Sequence, residues 1–280
     1  MSQKAPLLVQ LQQYATTHQV TLPVFSDVAR RLQDASRSDA YDIEAIERAI
    51  DSDPALAVEV LRAANSAFFG GLSEITSIRA AITRLGLQQV THLALMATEK
   101  NRYVAHQPRL APLMRDLWQH AAACALASEW IAKRLRYPQL ADEAFIGGLL
   151  HDVGKLFLLR VLDQMGAENP VAAACPLPLV REVLRQAHTE TGFQLLQSWN
   201  LPAVYQAIVR DHHNEVIDTA NLPLLMVRLA NHACHKAGIG LFRDESLVLA
   251  ATAEAVALSV PEVALAELEI ILEDVQAVAA

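Results

Sequence analysis

The chain has 280 residues and a formal net charge of −8, from 23 lysines and arginines against 31 aspartates and glutamates. This acidic balance argues against a broad basic surface for nucleic acid or anionic lipid. Hydrophobic residues make up 52% of the chain, which excludes a disordered composition and is enough for a packed core.

The cysteines and the N-terminus favour a cytoplasmic protein. Cys124, Cys175 and Cys234 form no Cys-x-x-Cys pair, which predicts buried thiols in a reducing compartment. The first residues lack the continuous apolar stretch of a signal peptide. The longest run without a charged side chain, 191–209, contains glutamines, an asparagine and a proline, so we expect no membrane span.

Helix signals dominate the N-terminal part of the chain. Asp42 and the Asp53-Pro54 pair are typical helix starts, and apolar residues follow each at helical spacing. Thr76 is predicted to open a further helix, which ends at Gly86 because glycine suits the backbone conformation at a helix C-terminus. Another helix is predicted over residues 88–101.

The helical pattern continues to the C-terminus. The segment 110–135 is typical of one long apolar helix, and Gly154 is predicted to end the helix that begins at Asp142. Ser259 and Glu262 are spaced as the capping box of a last amphipathic helix. Further helices are predicted over 179–199, 203–213 and 222–237. No strand-like alternation is present, so the predicted fold class is all-α, with about a dozen helices.

Composition and charge suggest three parts. Pro108 and its charged neighbours mark a joint, so we expect an N-terminal helical lobe of 1–104 and a second helical lobe of 105–240. The remaining segment, 241–280, carries Arg243 as its one basic residue against eight acidic ones. Its acidic surface is either a solvated helix face or a docking surface for a partner, and the sequence leaves both open.

The histidines form the most informative pattern in the chain. His151-Asp152 falls where a buried helix is expected to end, so both side chains can project into a space between helices. Asp116 and His120 lie four residues apart and share a helix face. His188 and the pair His212-His213 follow downstream. Together these residues supply enough donors for a mononuclear or dinuclear centre.

Histidine and carboxylate ligands favour iron, manganese or zinc over calcium. Lys155, three residues after Asp152, could stabilise charge that develops on a leaving oxygen, so Asp152 and Lys155 are the candidate catalytic pair. The isolated histidines are interpreted as ordinary surface or core residues, namely His18, His92, His106, His232 and His235.

This ordered series resembles the HD superfamily of metal-dependent phosphohydrolases and, more narrowly, HDOD domain proteins. The narrower resemblance rests on DPALAVEVLRAANSAFFG (53–70), ITSIRAAITRLG (75–86), GGLLHDVGKL (147–156), AHTETGFQLLQSWNLP (187–202) and, more loosely, on Leu22-Pro23. It covers roughly residues 20–240. The family consists of bacterial signalling and regulatory modules, many of which have lost the metal ligands.

The resemblance implies roles for individual residues. His120, the pair His151-Asp152 and Lys155 match superfamily positions, and Asp116, His188, His212 and His213 match the HD-GYP branch. The superfamily's last ligand is an aspartate on a late helix, and its expected position here is Asn231. A neutral amide there should weaken metal binding.

A second departure concerns the string after His213. The HD-GYP branch continues His-His-Glu and then Gly-Tyr-Pro, whereas this chain has Asn214 and lacks the Gly-Tyr-Pro string. Cyclic di-GMP hydrolysis in the manner of that branch is therefore not expected.

Three functional hypotheses follow from these residues. The first is a regulatory module that acts through contacts with a signalling protein. The second is a phosphohydrolase in which one or two metal ions, assisted by Lys155, hydrolyse a phosphate ester. In the third, the metal is structural or senses iron or redox state. The sequence does not name the partner, the metal, the substrate or the oligomeric state.

Overall fold

The structure, a computed structural model, describes residues 6–22, 43–71 and 73–279. These residues form helices and no strand, which confirms the all-α prediction. Fourteen α-helices are described: α1 (Leu7–Thr17), α2 (Ile43–Asp51), α3 (Pro54–Ala64), α4 (Ile78–Leu85), α5 (Leu87–Lys100), α6 (Ala111–Arg134), α7 (Ala141–Leu150), α8 (Val153–Glu168), α9 (Pro170–Ala173), α10 (Leu177–Ser198), α11 (Ala203–Asp211), α12 (Leu222–Lys236), α13 (Ala253–Ala257) and α14 (Glu262–Ala279).

The chain divides into two compact units, Met1–Leu22 with Val104–Leu272 and Pro23–Tyr103 with Glu273–Ala280. Helix α1 therefore belongs with the larger unit, in which it packs against α8 and α10. The three-part division into 1–104, 105–240 and 241–280 stays a prediction.

The smaller unit contains α2 to α5. The Asp53 carboxylate accepts hydrogen bonds from the backbone of Ala55 and Leu56, and Pro54 occupies the first position of α3, as predicted. Helix α4 ends at Gly86 as predicted, but its N-cap is Ser77 rather than Thr76. The predicted cap Asp42 and the Pro23 of the Leu22-Pro23 dipeptide lie outside the described residues.

The larger unit is organised around α6, whose residues are buried along most of its length. Helices α7 and α12 pack against α6 and against each other. Helix α10 packs against both α8 and α11. The long apolar segment predicted at 110–135 is thus confirmed as the central helix.

Two helix boundaries differ from the predictions. Gly154 does not end a helix, because α7 ends at Leu150 and Gly154 lies inside α8, a helix that the proline-rich surroundings obscured. Ser259 does not cap α14. It lies at φ +51° in the turn after α13, and α14 begins at Glu262.

Part of the acidic C-terminal charge is neutralised within the larger unit. Glu267 pairs with Arg134 and Glu269 pairs with Lys236, which ties α14 to α6 and α12. All three cysteines are free, buried thiols, as the sequence predicts. None of the helices that the structure describes is long and apolar enough to cross a membrane.

Candidate metal centre

The His-Asp pair lies at the junction of two helices. His151 directly follows the last residue of α7, and Asp152 directly precedes α8. Gly154 lets α8 approach α10 closely, since a Cβ at this position would lie 2.0 Å from the His188 carbonyl oxygen. A side chain at 154 would therefore push the His-Asp pair away from His188.

Asp152 is at the centre of the cluster and faces two pairs of histidines. Its Oδ2 lies 3.6 Å from His120 Nε2 and 3.5 Å from His151 Nε2. Its Oδ1 lies 3.4 Å from His188 Nε2 and 3.6 Å from His212 Nε2. Within each pair the two Nε2 atoms are 3.2 Å apart. One carboxylate thus has two histidine nitrogens at each of its oxygens.

Backbone carbonyls set the tautomer of all four histidines. Each Nδ1 lies at hydrogen-bond distance from a carbonyl oxygen, which can only accept, so Nδ1 carries the proton and Nε2 presents a lone pair. The pairs are His120 with Ile239 at 3.0 Å, His151 with Gly148 at 2.7 Å, His188 with Leu184 at 2.8 Å and His212 with Val209 at 3.0 Å.

The loop that supplies the Ile239 carbonyl depends on Gly240. This glycine has φ +110°, and a Cβ on it would lie 2.9 Å from the His120 side chain. Only glycine combines this backbone conformation with such a close approach. The loop after α12 therefore holds the His120 ring in place.

The charges of the cluster favour a bound cation. Burial lowers the pKa of His120, His151 and His188 to about 3, so these rings are neutral at pH 7. Burial disfavours the ionised form of the Asp152 carboxyl, but the ammonium of Lys155 counteracts this effect and helps to keep its pKa well below the usual range. Lone pairs and a carboxylate therefore converge in a buried space.

The residues fit a divalent metal. A tetrahedral ion bonded to two histidines at about 2.0–2.1 Å holds their nitrogens about 3.3–3.4 Å apart. The observed spacing is 3.2 Å in both pairs. In addition, Asp152 Oδ1 is buried and has no hydrogen-bond partner among the described residues. Without a cation, the facing lone pairs would repel one another.

Lys155 is the nearest positive charge. Its Nζ lies 2.7 Å from Asp152 Oδ2, and both side chains are buried. The ion pair neutralises the carboxylate on the side of His120 and His151. The ammonium also faces the ring of Phe242, 5.3 Å from its centroid.

The other predicted ligands occupy different positions. His213 is exposed, but its ligand nitrogen lies within 4.8 Å of those of His188 and His212, so these three histidines form one of the groups that could hold a metal. Asp116 is half-buried on α6 and belongs to none of the three His, Cys, Asp and Glu groups in the described residues that could hold a metal. Asn231 is buried on α12, and its Oδ1 finds no hydrogen-bond partner in the described part of the chain.

A cavity of about 350 Å³ adjoins the cluster on the side of His188. It is lined by Lys155, Arg185, His188, Thr189, His213, His235 and Phe242. Two cationic side chains and several hydrogen-bond donors on its wall suit an anionic ligand. The aromatic ring of Phe242 adds an apolar surface for a larger group.

Three groups near the centre were missed from the sequence. The His235 ring stacks on that of His120 at 5.4 Å between centroids, although His235 looked like an isolated histidine. Its position four residues after Asn231 on one helix face was the available signal. Arg185 and Phe242 carried no signal, because only the tertiary fold brings them to the cavity.

The HDOD domain model matches residues 22–215. The chain belongs to the HDOD family. An "uncharacterized protein" of Treponema pallidum (strain Nichols) is 26% identical over 208 residues, which are 69% of this chain and 38% of the relative. The chain thus matches well under half the length of that relative.

Solved structures share the HDOD fold along the whole chain. An HDOD domain protein of unknown function from Geobacter sulfurreducens has a TM-score of 0.74 at 20% identity, with 97% of each chain covered. A "putative metal-dependent phosphohydrolase" from Shewanella amazonensis SB2B has a TM-score of 0.68 at 18% identity, with 98% of each chain covered. A "putative signal transduction protein" from Marinobacter aquaeolei VT8 has a TM-score of 0.62 at 20% identity, and the match covers 99% of this chain and 61% of that one. At these identities the likeness shows the fold alone.

Proposed function

We propose that the chain is a bacterial, cytoplasmic signal-transduction module that acts through contacts with a partner protein, and that a divalent metal holds its His-Asp cluster together. The observation that carries this proposal is the burial of the five donor residues of the cluster. His120, His151, Asp152, His188 and His212 are each at most 3% exposed. A bound ion would therefore take its ligands mainly from the protein, as structural metals do, whereas catalytic metals keep one coordination position for water or substrate.

The cluster joins helices that are distant in sequence. His120 comes from α6, His151 and Asp152 from the junction of α7 and α8, His188 from α10, and His212 from the end of α11. A metal that binds only the folded state stabilises it by mass action. Occupancy of the site would then control the stability of the helical unit and, through it, the surface offered to a partner.

Iron, manganese and zinc are the metals that suit these ligands. When bound, the ion would supply Lewis-acid character and a positive charge at the centre. The chain's own residues hold the neutral imidazoles in one tautomer and keep Asp152 ionised. The neutral amide of Asn231, where the superfamily has an aspartate, leaves the site with one negative charge fewer.

Thermal unfolding in the presence and absence of a chelator tests this proposal. We expect chelation to lower the melting temperature of the wild-type protein and to leave that of Asp152→Asn unchanged. Asp163→Asn is the matched control. Asp163 is equally buried, but it accepts hydrogen bonds from the backbone of His106 and Gln107, so this variant should be less stable yet still respond to chelator. Identical wild-type curves with and without chelator would contradict the proposal.

A phosphohydrolase is the second candidate, and the cavity beside the cluster favours it. Lys155 and Arg185 could bind the phosphate oxygens of an ester, with Arg185 leaving its exposed partner Glu182. In this mechanism Asp152 orients the Lys155 ammonium, and His213 at the exposed edge donates a hydrogen bond to the ester. The absence of the Gly-Tyr-Pro string disfavours cyclic di-GMP as the substrate.

Turnover separates the two candidates. The purified protein is assayed with manganese, iron and zinc on mononucleotides, dinucleotides, cyclic nucleotides and simple phosphate monoesters. The regulatory proposal predicts no turnover above that of Asp152→Asn. Metal-dependent hydrolysis that disappears in Asp152→Asn but persists in Asp163→Asn would replace it with the enzymatic one.

A further inference from the structure

Two buried thiols, those of Cys124 and Cys234, lie beside His120. Cys124 is one helical turn after His120 on α6, and Cys234 is on α12. The Sγ atoms of the two cysteines are 3.6 Å apart, and Cys124 Sγ is 3.7 Å from His120 Nε2. All three ligand atoms lie within 4.8 Å of one another, and all three residues are buried.

Two of the three distances match the edges of a tetrahedral metal site. With bonds of about 2.3 Å to sulfur and about 2.0–2.1 Å to nitrogen, two sulfurs lie about 3.8 Å apart and a sulfur lies about 3.6 Å from a nitrogen. The observed values are 3.6 Å and 3.7 Å. The pair is a free dithiol rather than a disulfide.

The sulfur ligands select a different class of metal from the Asp152 centre. Thiolates prefer soft and borderline ions such as zinc, cadmium and copper(I), whereas carboxylate with imidazole also suits manganese and iron. We propose that Cys124, Cys234 and His120 form a second site for a thiophilic cation. Binding releases the two thiol protons to solvent and forms two metal-sulfur bonds and one metal-nitrogen bond.

The two sites share one ligand, and this links them. His120 has a single free lone pair, on Nε2, because its Nδ1 donates to Ile239. The same Nε2 lies 3.6 Å from Asp152 Oδ2. A thiophilic cation that takes His120 therefore removes one ligand from the Asp152 centre. This linkage rests on the proposed function, whereas the existence of the thiolate site does not.

The simpler alternative is that both cysteines only pack as small apolar residues, with a weak thiol hydrogen bond to His120. This alternative explains their burial. It predicts no affinity for soft metals, so metal titration distinguishes the two explanations.

Cadmium titration of the reduced, metal-free protein tests the thiolate site. We expect the ultraviolet thiolate-to-cadmium charge-transfer band to saturate at one ion per chain. Cys124→Ser and Cys234→Ser should each weaken binding by more than about 100-fold, since loss of a group merely behind a ligand already costs about 10- to 100-fold. Cys175→Ser is the matched control and should bind as tightly as wild type, because Cys175 belongs to none of the three groups that could hold a metal in the described residues.

Two further measurements keep the outcomes distinct. The Asp152→Asn variant should retain the cadmium band. The thiolate site can therefore be detected even if no metal binds at Asp152. If the serine variants do not fold, the visible spectrum of wild-type protein with cobalt(II) should show the intense bands of tetrahedral thiolate coordination. The proposal is overturned if the wild-type protein gives neither the cadmium band nor the cobalt bands, or if the serine variants bind cadmium like wild type.

Competition tests the linkage. Protein loaded with manganese should release it as cadmium is added, in proportion to the charge-transfer band, and Cys234→Ser should retain its manganese. If cadmium binds fully while manganese stays bound, the proposal of a thiolate site stands. The proposal that the two sites share His120 is then refuted.

Discussion

A buried ion pair holds the end of α11, where the His212-His213 pair lies. Arg228 Nε lies 2.5 Å from Glu254 Oε1, and the two side chains are 8% and 2% exposed. Arg228 Nη1 donates to the carbonyl oxygens of Asp211 and Asn214, which flank the two histidines. Glu254 thus orients Arg228, and Arg228 fixes the turn that presents His212 to Asp152.

Glu254→Gln is the informative perturbation. Removing one partner of a buried ion pair costs about 3–5 kcal/mol, but glutamine keeps the shape and one hydrogen bond, so we expect a loss of about 2–3 kcal/mol in unfolding free energy. Because the turn behind a ligand loosens, metal affinity should also fall by about 10- to 100-fold. Urea denaturation of metal-free protein measures the first effect, and calorimetric metal titration measures the second.

The matched control is Glu269→Gln. Its partner Lys236 also lies on α12, but the side chains of this pair are 29% and 42% exposed, so the expected loss is under about 1 kcal/mol with unchanged metal affinity. If Glu254→Gln lowers stability by the expected amount but binds metal like wild type, the pair stabilises the fold without positioning His212. That result would refute the reasoning.

Three other predictions address the cluster directly. Gly154→Ala should lower the unfolding free energy by about 1–3 kcal/mol or more, because the new Cβ meets the backbone of His188, and calorimetry that finds wild-type stability would count against this packing. Asn231→Asp should tighten manganese binding in a calorimetric titration, since it restores a negative charge, and an unchanged Kd would place the side chain outside the site. In metal-free protein, His120, His151 and His188 have a pKa of about 3 when folded and about 6.5 when unfolded. The unfolded state then binds more protons, so unfolding free energy should fall as pH drops from about 6.5 to 3, and a flat urea-denaturation profile would contradict this.

Local sequence signals predicted most of the helices. The Asp53-Pro54 cap and the long helix α6 follow from chemistry within a few residues, and the structure confirms both. The errors have local causes too. Thr76 and Ser77 are adjacent, and either hydroxyl could cap α4. Only the backbone geometry selects Ser77. Glycine is common at helix ends, which is why Gly154 was predicted to end a helix. The structure instead requires glycine there because α8 packs closely against the backbone of His188.

The sequence indicated which histidines would lie near Asp152, but not how they are arranged, and their role as metal ligands stays a prediction. The order of His120, His151-Asp152, His188 and His212 along the chain indicated a shared centre, and the structure brings these residues together. That Asp152 has two histidines at each oxygen depends on contacts between distant helices. The contact between Cys124 and Cys234 also depends on the packing of distant helices, since the two residues are 110 positions apart. No local sequence pattern indicated it.

Metal content of the protein, purified without chelator, tests the central claim most directly. Inductively coupled plasma mass spectrometry of wild type and Asp152→Asn, prepared in parallel, gives the number of ions per chain. The account predicts near-stoichiometric iron, manganese or zinc in wild type and its loss in Asp152→Asn. Wild-type protein that contains no metal and acquires none on incubation with these ions would contradict it.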